Sequence, residues 1–122
     1  MTVIRLSDGG LLLHSPVRHT PALHGTLTAL GPIRHLVAPS IGHWTFVRSW
    51  QDALPDAVTW AVPGLRNRVQ VRAAGLRIDR ELEDATPAEW ADTLEQGLVR
   101  GGLGVAEAFF FHRASRTLVL VD

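Results

Sequence analysis

Six histidines carry most of the chemistry this sequence could perform. Neutral imidazole is the commonest metal ligand and the usual general base near pH 7. Spacing separates the candidates. His14, His19 and His24 run through a strand end, a proline-containing loop and a helix start. That is not the i, i+4 spacing that sets two imidazoles on one helical face over a zinc ion, so surface or structural roles are expected for these three. His35 falls inside an apolar run and His112 at the end of one, where cross-strand packing or a hydrogen bond is the ordinary role. His43 stands apart. It follows the loop at the carboxyl end of the run Ile33 to Ala38, and α/β sheets gather ligands at such ends. It is also predicted to open a helix, whose positive dipole end favours the uncharged imidazole that coordinates a metal.

Asp122 is the acidic counterpart. It follows the apolar run Leu118-Val119-Leu120-Val121, and a carboxylate at the end of a buried strand is held rigidly at an open edge, a good place for a metal ligand or general base. No Walker loop, G-x-S-x-G elbow or G-x-G-x-x-G is present, and Gly101-Gly102-Leu103-Gly104 has neither the spacing nor the lysine of a phosphate loop. Trp44, Trp50, Trp60 and Trp90 are expected to supply core and interface bulk.

The elements that must position these groups read as a mixture. Thr2 to Leu6 and Leu11 to His14, joined by Ser7-Asp8-Gly9-Gly10, predict a β-hairpin. Thr20 is placed to cap a helix of about three turns beginning at Pro21, with Leu23, Leu27 and Leu30 on one stripe. Ile33 to Ala38 reads as a central strand, and Phe46, Trp50 and Leu54 as the stripe of a second helix that starts near His43 and stops before Pro55. Ala57 to Val62 reads as a strand. Leu65 to Ala74 fits either a third helix ended by Gly75 or an edge strand. Thr86-Pro87-Ala88-Glu89 has the pattern of a capping box for at least one turn, and Leu94 to Val99 fits either a helix end or a strand. Val105 to His112 and Arg116 to Val121 predict a second hairpin. Leu36, Val37, Phe109 and Leu120 are expected in the core.

The chain has 122 residues, 46% of them hydrophobic, with 12 basic and 12 acidic side chains and no cysteine. Such a length predicts a single domain, residues 1–122, able to bury an apolar core without staples. The lack of cysteine excludes disulfide scaffolds, thiolate zinc fingers, Fe–S clusters and thiol nucleophiles among these residues. No apolar stretch approaches the roughly 20 residues of a membrane span, so no membrane association and a cytoplasmic location are expected. Every basic residue is arginine. Residues 1–78 hold 8 Arg and 3 acids, residues 79–122 hold 4 Arg and 9 acids, and the two oppositely charged parts are expected to face each other. Arg66, Arg68, Arg72 and Arg77 lie in an acid-free stretch, yet seven acids follow in residues 79–95, so nucleic-acid binding is not expected.

In combination and order, Gly10-Leu11-Leu12-Leu13-His14-Ser15-Pro16-Val17, Arg34-His35-Leu36-Val37-Ala38-Pro39, Pro63-Gly64-Leu65, Phe110-Phe111-His112-Arg113 and Ser115-Arg116-Thr117-Leu118 resemble an uncharacterised bacterial family, a domain of unknown function, similar to metallo-β-lactamases. The resemblance runs nearly end to end. It implies an α/β, metallo-β-lactamase-like αββα layer fold, built from two similar halves with a metal site along the edge between their sheets. It sets Pro39-Ser40-Ile41-Gly42-His43-Trp44 on the H-x-H-x-D-H motif, with Ile41 on the second His, His43 on the Asp and Trp44 on the last His. Asp122 matches the bridging carboxylate, and no G-H-T-like segment is visible between Val99 and Phe109.

The resemblance therefore implies His43 and Asp122 as the retained metal ligands, too few for a binuclear zinc centre that activates water. The expectation that follows is a degenerate metal site without a cofactor, in a domain with a binding, interaction or vestigial role. The alternative is a metal-dependent hydrolase holding one zinc or another divalent ion through His43, Asp122 and a further ligand from His14 or His112. The family pattern continues past the aspartate, so the chain corresponds to about one half of the sandwich, a fragment or a shortened relative, and self-association or an uncovered apolar face is expected. A small-molecule substrate is left unnamed.

Overall fold

The computed structural model describes residues 1–121. Among these residues eight strands form two sheets. β1 (Thr2–Arg5), β2 (Leu11–His14), β3 (Ile33–Ala38), β4 (Val58–Ala61) and β5 (Arg80–Glu81) lie side by side in that order, with β1 antiparallel to β2 and all later neighbours parallel. β6 (Leu94–Arg100), β7 (Ala106–His112) and β8 (Thr117–Val119) make an antiparallel meander. Parallel neighbours need a crossover, and α1 (Pro21–Thr28), α2 (Val47–Ala53) and a 3₁₀ turn (Leu65–Asn67) followed by α3 (Val69–Ala73) supply the three crossovers.

Local chemistry explains the strand ends. In the first hairpin Asp8 accepts from the Gly10 N–H at 2.8 Å and pairs with Arg34 at 2.9 Å, which ties the turn to β3. Arg34 is the extra residue where the β2–β3 register shifts: Leu11 stands opposite Ile33 but Leu12 opposite His35. Thr20 caps α1 as expected, its hydroxyl accepting from the Leu23 N–H at 3.1 Å. The helix is shorter than the predicted three turns, and Leu30, beyond its end, is exposed.

Alternation along β4 fixes the layers. Thr59 accepts a hydrogen bond from the Gln51 side chain on α2 at 2.7 Å, while the Trp60 ring meets Trp90 at 4.5 Å, edge to face. Trp90 in turn meets Phe110 of β7. One face of the first sheet thus carries helix and the other faces the second sheet, so β2, covered on both sides, is buried at all four positions. A single cluster of buried side chains, including Leu12, Leu36, Val37, Trp50, Trp60, Trp90 and Phe110, runs through both sheets. The architecture is mixed α/β with two sheets and few helices.

Several expectations change. α2 starts at Val47, not near His43, because residues 41–46 form turns and Phe46 at the cap position offers no side-chain acceptor. After Thr86 the chain makes turns over residues 88–93, with the Trp90 N–H donating to the Pro87 carbonyl at 3.2 Å, but the Thr86 hydroxyl does not cap them: it accepts from the Gln96 N–H of β6 at 3.1 Å. Asp84 accepts from the Leu98 N–H at 3.2 Å, so two side chains cover the free edge of β6. Residues 65–67 form a 3₁₀ turn and 69–73 a helix, while 94–100 form a strand. Leu36 and Val37 are core, whereas Phe109 is half-buried and Leu120 is exposed, since both stand away from the inter-sheet layer.

Candidate functional site

The carboxyl ends of β2 and β3 meet in a cleft of about 360 Å³ lined by Ser15, Pro16, Val17, Gly42, His43 and Phe46, among others. His43 reaches it from a tight turn, in which Ser40 accepts from the Gly42 N–H at its hydroxyl and from the His43 N–H at its carbonyl, both at 3.3 Å. The expected place at the end of β3 is observed. The expected helix N-terminus is not, since α2 begins four residues later at Val47.

Ser15 comes directly after β2. Its N–H donates to the Val37 carbonyl at 3.0 Å, which pins the residue between the two strands, and its hydroxyl lies 2.7 Å from His43 Nδ1. Its φ is 52°, in the left-handed region that few non-glycine residues adopt. Such backbone strain collects at functional sites. Sequence reasoning missed Ser15. The available signal was weak, a lone hydroxyl between an apolar strand and a proline.

His14 stands behind this pair, 2% exposed, with its ring edge-on to Phe110 at 5.5 Å. Its Nε2 is buried and has no hydrogen-bond partner among the described residues. Burial, the amino terminus and nearby His43 push its pKa down to about 4, so the imidazole is neutral near pH 7. His112 lies elsewhere, in a second cleft with Thr2, Ile4 and Thr117, its Nδ1 2.6 Å from the Ser115 hydroxyl. Of the two further ligands considered, the structure brings His14 and not His112 to His43. Asp122 lies outside the described residues.

The remaining histidines have structural surroundings. His35 Nδ1 accepts from the Trp60 indole at 3.2 Å, and burial lowers its pKa. His19 and His24 hydrogen-bond to each other at 3.0 Å beside Trp50. Ile41 and Trp44, set on ligand positions by the resemblance, pack against the core, and neither side chain has a donor atom suited to zinc. Among the described residues no group of three or more His, Asp or Glu side chains is gathered as a metal ion requires. These residues do not fit a binuclear zinc centre.

Fold and site together define a two-sheet α/β domain with a cleft, bearing Ser15 and His43, at the ends of adjacent parallel strands. The chain belongs to the family described as a domain of unknown function (DUF4336), which matches residues 1–122. No curated protein matches it. No helix is long and apolar enough to cross a membrane among the described residues.

Proposed function

We propose that the chain is a metallo-β-lactamase-like domain whose metal site is reduced, and that the cleft at the ends of β2 and β3 binds a small polar molecule in its place. The observation that carries this reading is the use made of the motif segment. His43 Nδ1 is engaged with the Ser15 hydroxyl, while Ile41 and Trp44 beside it serve the core. Catalytic zinc takes about three protein ligands and a water, and structural zinc about four. In the αββα layering that the resemblance implies, helices would cover the outer face of the β6–β8 sheet.

One observation favours a second reading, a single-metal hydrolase using His14, His43 and Asp122: the His14 Nε2 is buried, uncharged and without a hydrogen-bond partner among the described residues. Elemental mass spectrometry of the purified chain separates the two. The reduced-site reading expects far less than one zinc per chain and no chelator-sensitive hydrolysis of β-lactam or thioester probes. Close to one zinc per chain, lost in both His43→Ala and Asp122→Ala, would establish the single-metal reading in its place.

A further inference from the structure

We propose that Ser15 and His43 form a nucleophile and base pair that accepts an acyl group from a small ester. The inference rests on the reading that this cleft binds a small molecule, and goes beyond it by naming the chemistry. A serine hydroxyl is a poor nucleophile until an adjacent base takes its proton, and the diagnostic geometry is a side-chain separation of roughly 2.6–3.2 Å. Here the separation is 2.7 Å. Strained turns at the end of a strand are one way to project a serine hydroxyl clear of the sheet. Ser15 ends β2 with a φ of 52° and its backbone is anchored to β3, so the hydroxyl is presented from a rigid support. Both residues are part-exposed and line the cleft, so the pair is reachable.

The walls state the ligand class. Val17 and Phe46 line the same cleft and remain 43% and 38% exposed, an apolar flank for a short acyl chain beside the polar pair.

The step balances without a further reagent. Ser15 Oγ bonds to the acyl carbon as its proton passes to His43 Nδ1. The bond from the acyl carbon to the leaving oxygen breaks, and the proton moves from His43 to the departing alcohol. Water then attacks the Ser15 ester, gives its proton to His43, and the acid leaves as Ser15 Oγ regains that proton.

The test uses a fluorophosphonate and p-nitrophenyl acetate on the whole chain, with metal content measured on the sample as purified and chelator added only afterwards. The expected result is one phosphonyl group per chain, mapped to Ser15, and absent from Ser15→Gly, a substitution that suits the positive φ and so preserves the fold. His43→Gln keeps a hydrogen-bond acceptor for Ser15 but no base, so a purely structural tie would survive it. Labelling and acetate release are expected to fall by about 100-fold or more in that variant. No labelling at Ser15, or an unchanged rate in His43→Gln, would overturn the proposal. Labelling failure in a zinc-free chain sinks this inference alone, whereas stoichiometric zinc bound through His43 sinks the reduced-site reading.

Discussion

His14 is the residue whose surroundings have the clearest thermodynamic consequence. Its pKa drops from 6.5 in the unfolded chain to about 4 in the fold, because burial and nearby positive charge oppose protonation. Between those values the unfolded chain binds more protons, so stability is complete above pH 6.5 and declines as pH falls toward 4. At about 1.4 kcal/mol per pKa unit the loss amounts to roughly 3 kcal/mol. Urea unfolding at pH 7 and pH 4 checks this, and His14→Leu is expected to flatten the difference; an equal decline in the variant would contradict the assignment. His43 was legible in the sequence because the end of a parallel strand is a recognisable place. Ser15 was not, since its significance comes from a positive φ and from the β3 loop folding over it, neither of which has a signature in one dimension.

Elements were legible where the pattern was local. Alternation and turn residues marked both hairpins, and Thr20 marked the start of α1. The beginning of α2 is not legible because aromatic spacing continues upstream of the first helical residue, and at Thr86 the pattern shows the turn but not the use of the hydroxyl, which β6 takes from a distance along the chain. Gly97 gives a prediction at this scale. A Cβ there would lie 2.5 Å from Phe109 Cζ, since the ring of β7 rests across the glycine of β6. Gly97→Ala is expected to cost about 1–2 kcal/mol by displacing that ring. In a Phe109→Ala background the cost should vanish or reverse, because alanine suits a strand better than glycine once the ring is gone. Thermal melts of the four-member cycle measure the coupling, and additive effects would count against this packing.

At the scale of the whole molecule, the two oppositely charged parts of the sequence are joined by the pairs Arg66–Glu81 and Arg77–Asp79, both at 2.9 Å. These pairs are part-exposed and contribute little to stability, but they occupy two of the arginines that a polyanion would need. The inward positions of the second sheet, Leu94, Gln96, Ala108, Phe110 and Val119, are buried, which turns Val99, Phe109, Phe111 and Leu118 outward. Val99 and Leu118 are 60% and 54% exposed. Exposed apolar area on a sheet face favours association, so sedimentation is expected to show concentration-dependent self-association that Val99→Glu with Leu118→Glu reduces. A concentration-independent monomer would refute this prediction. How the two sheets face each other was not legible in any single strand, because which face of a sheet meets which partner is decided by crossover handedness, not by the composition of a strand.

The Ala108 N–H of β7 donates to the Pro39 carbonyl at 2.8 Å, immediately before the turn that presents His43. This bond gives the cleft a place in time. The five-stranded sheet is built from near neighbours in sequence, whereas the clasp on Pro39 waits for a strand encoded far downstream, and such non-local closures come late in folding. A chain emerging from the ribosome with β2 and β3 already paired would hold His14, Ser15 and His43 yet lack the strand that fixes their loop. The shape of the cleft is therefore expected to arrive with the docking of the second sheet, and late protection of the Ala108 amide in a pulse-labelled exchange experiment checks that order.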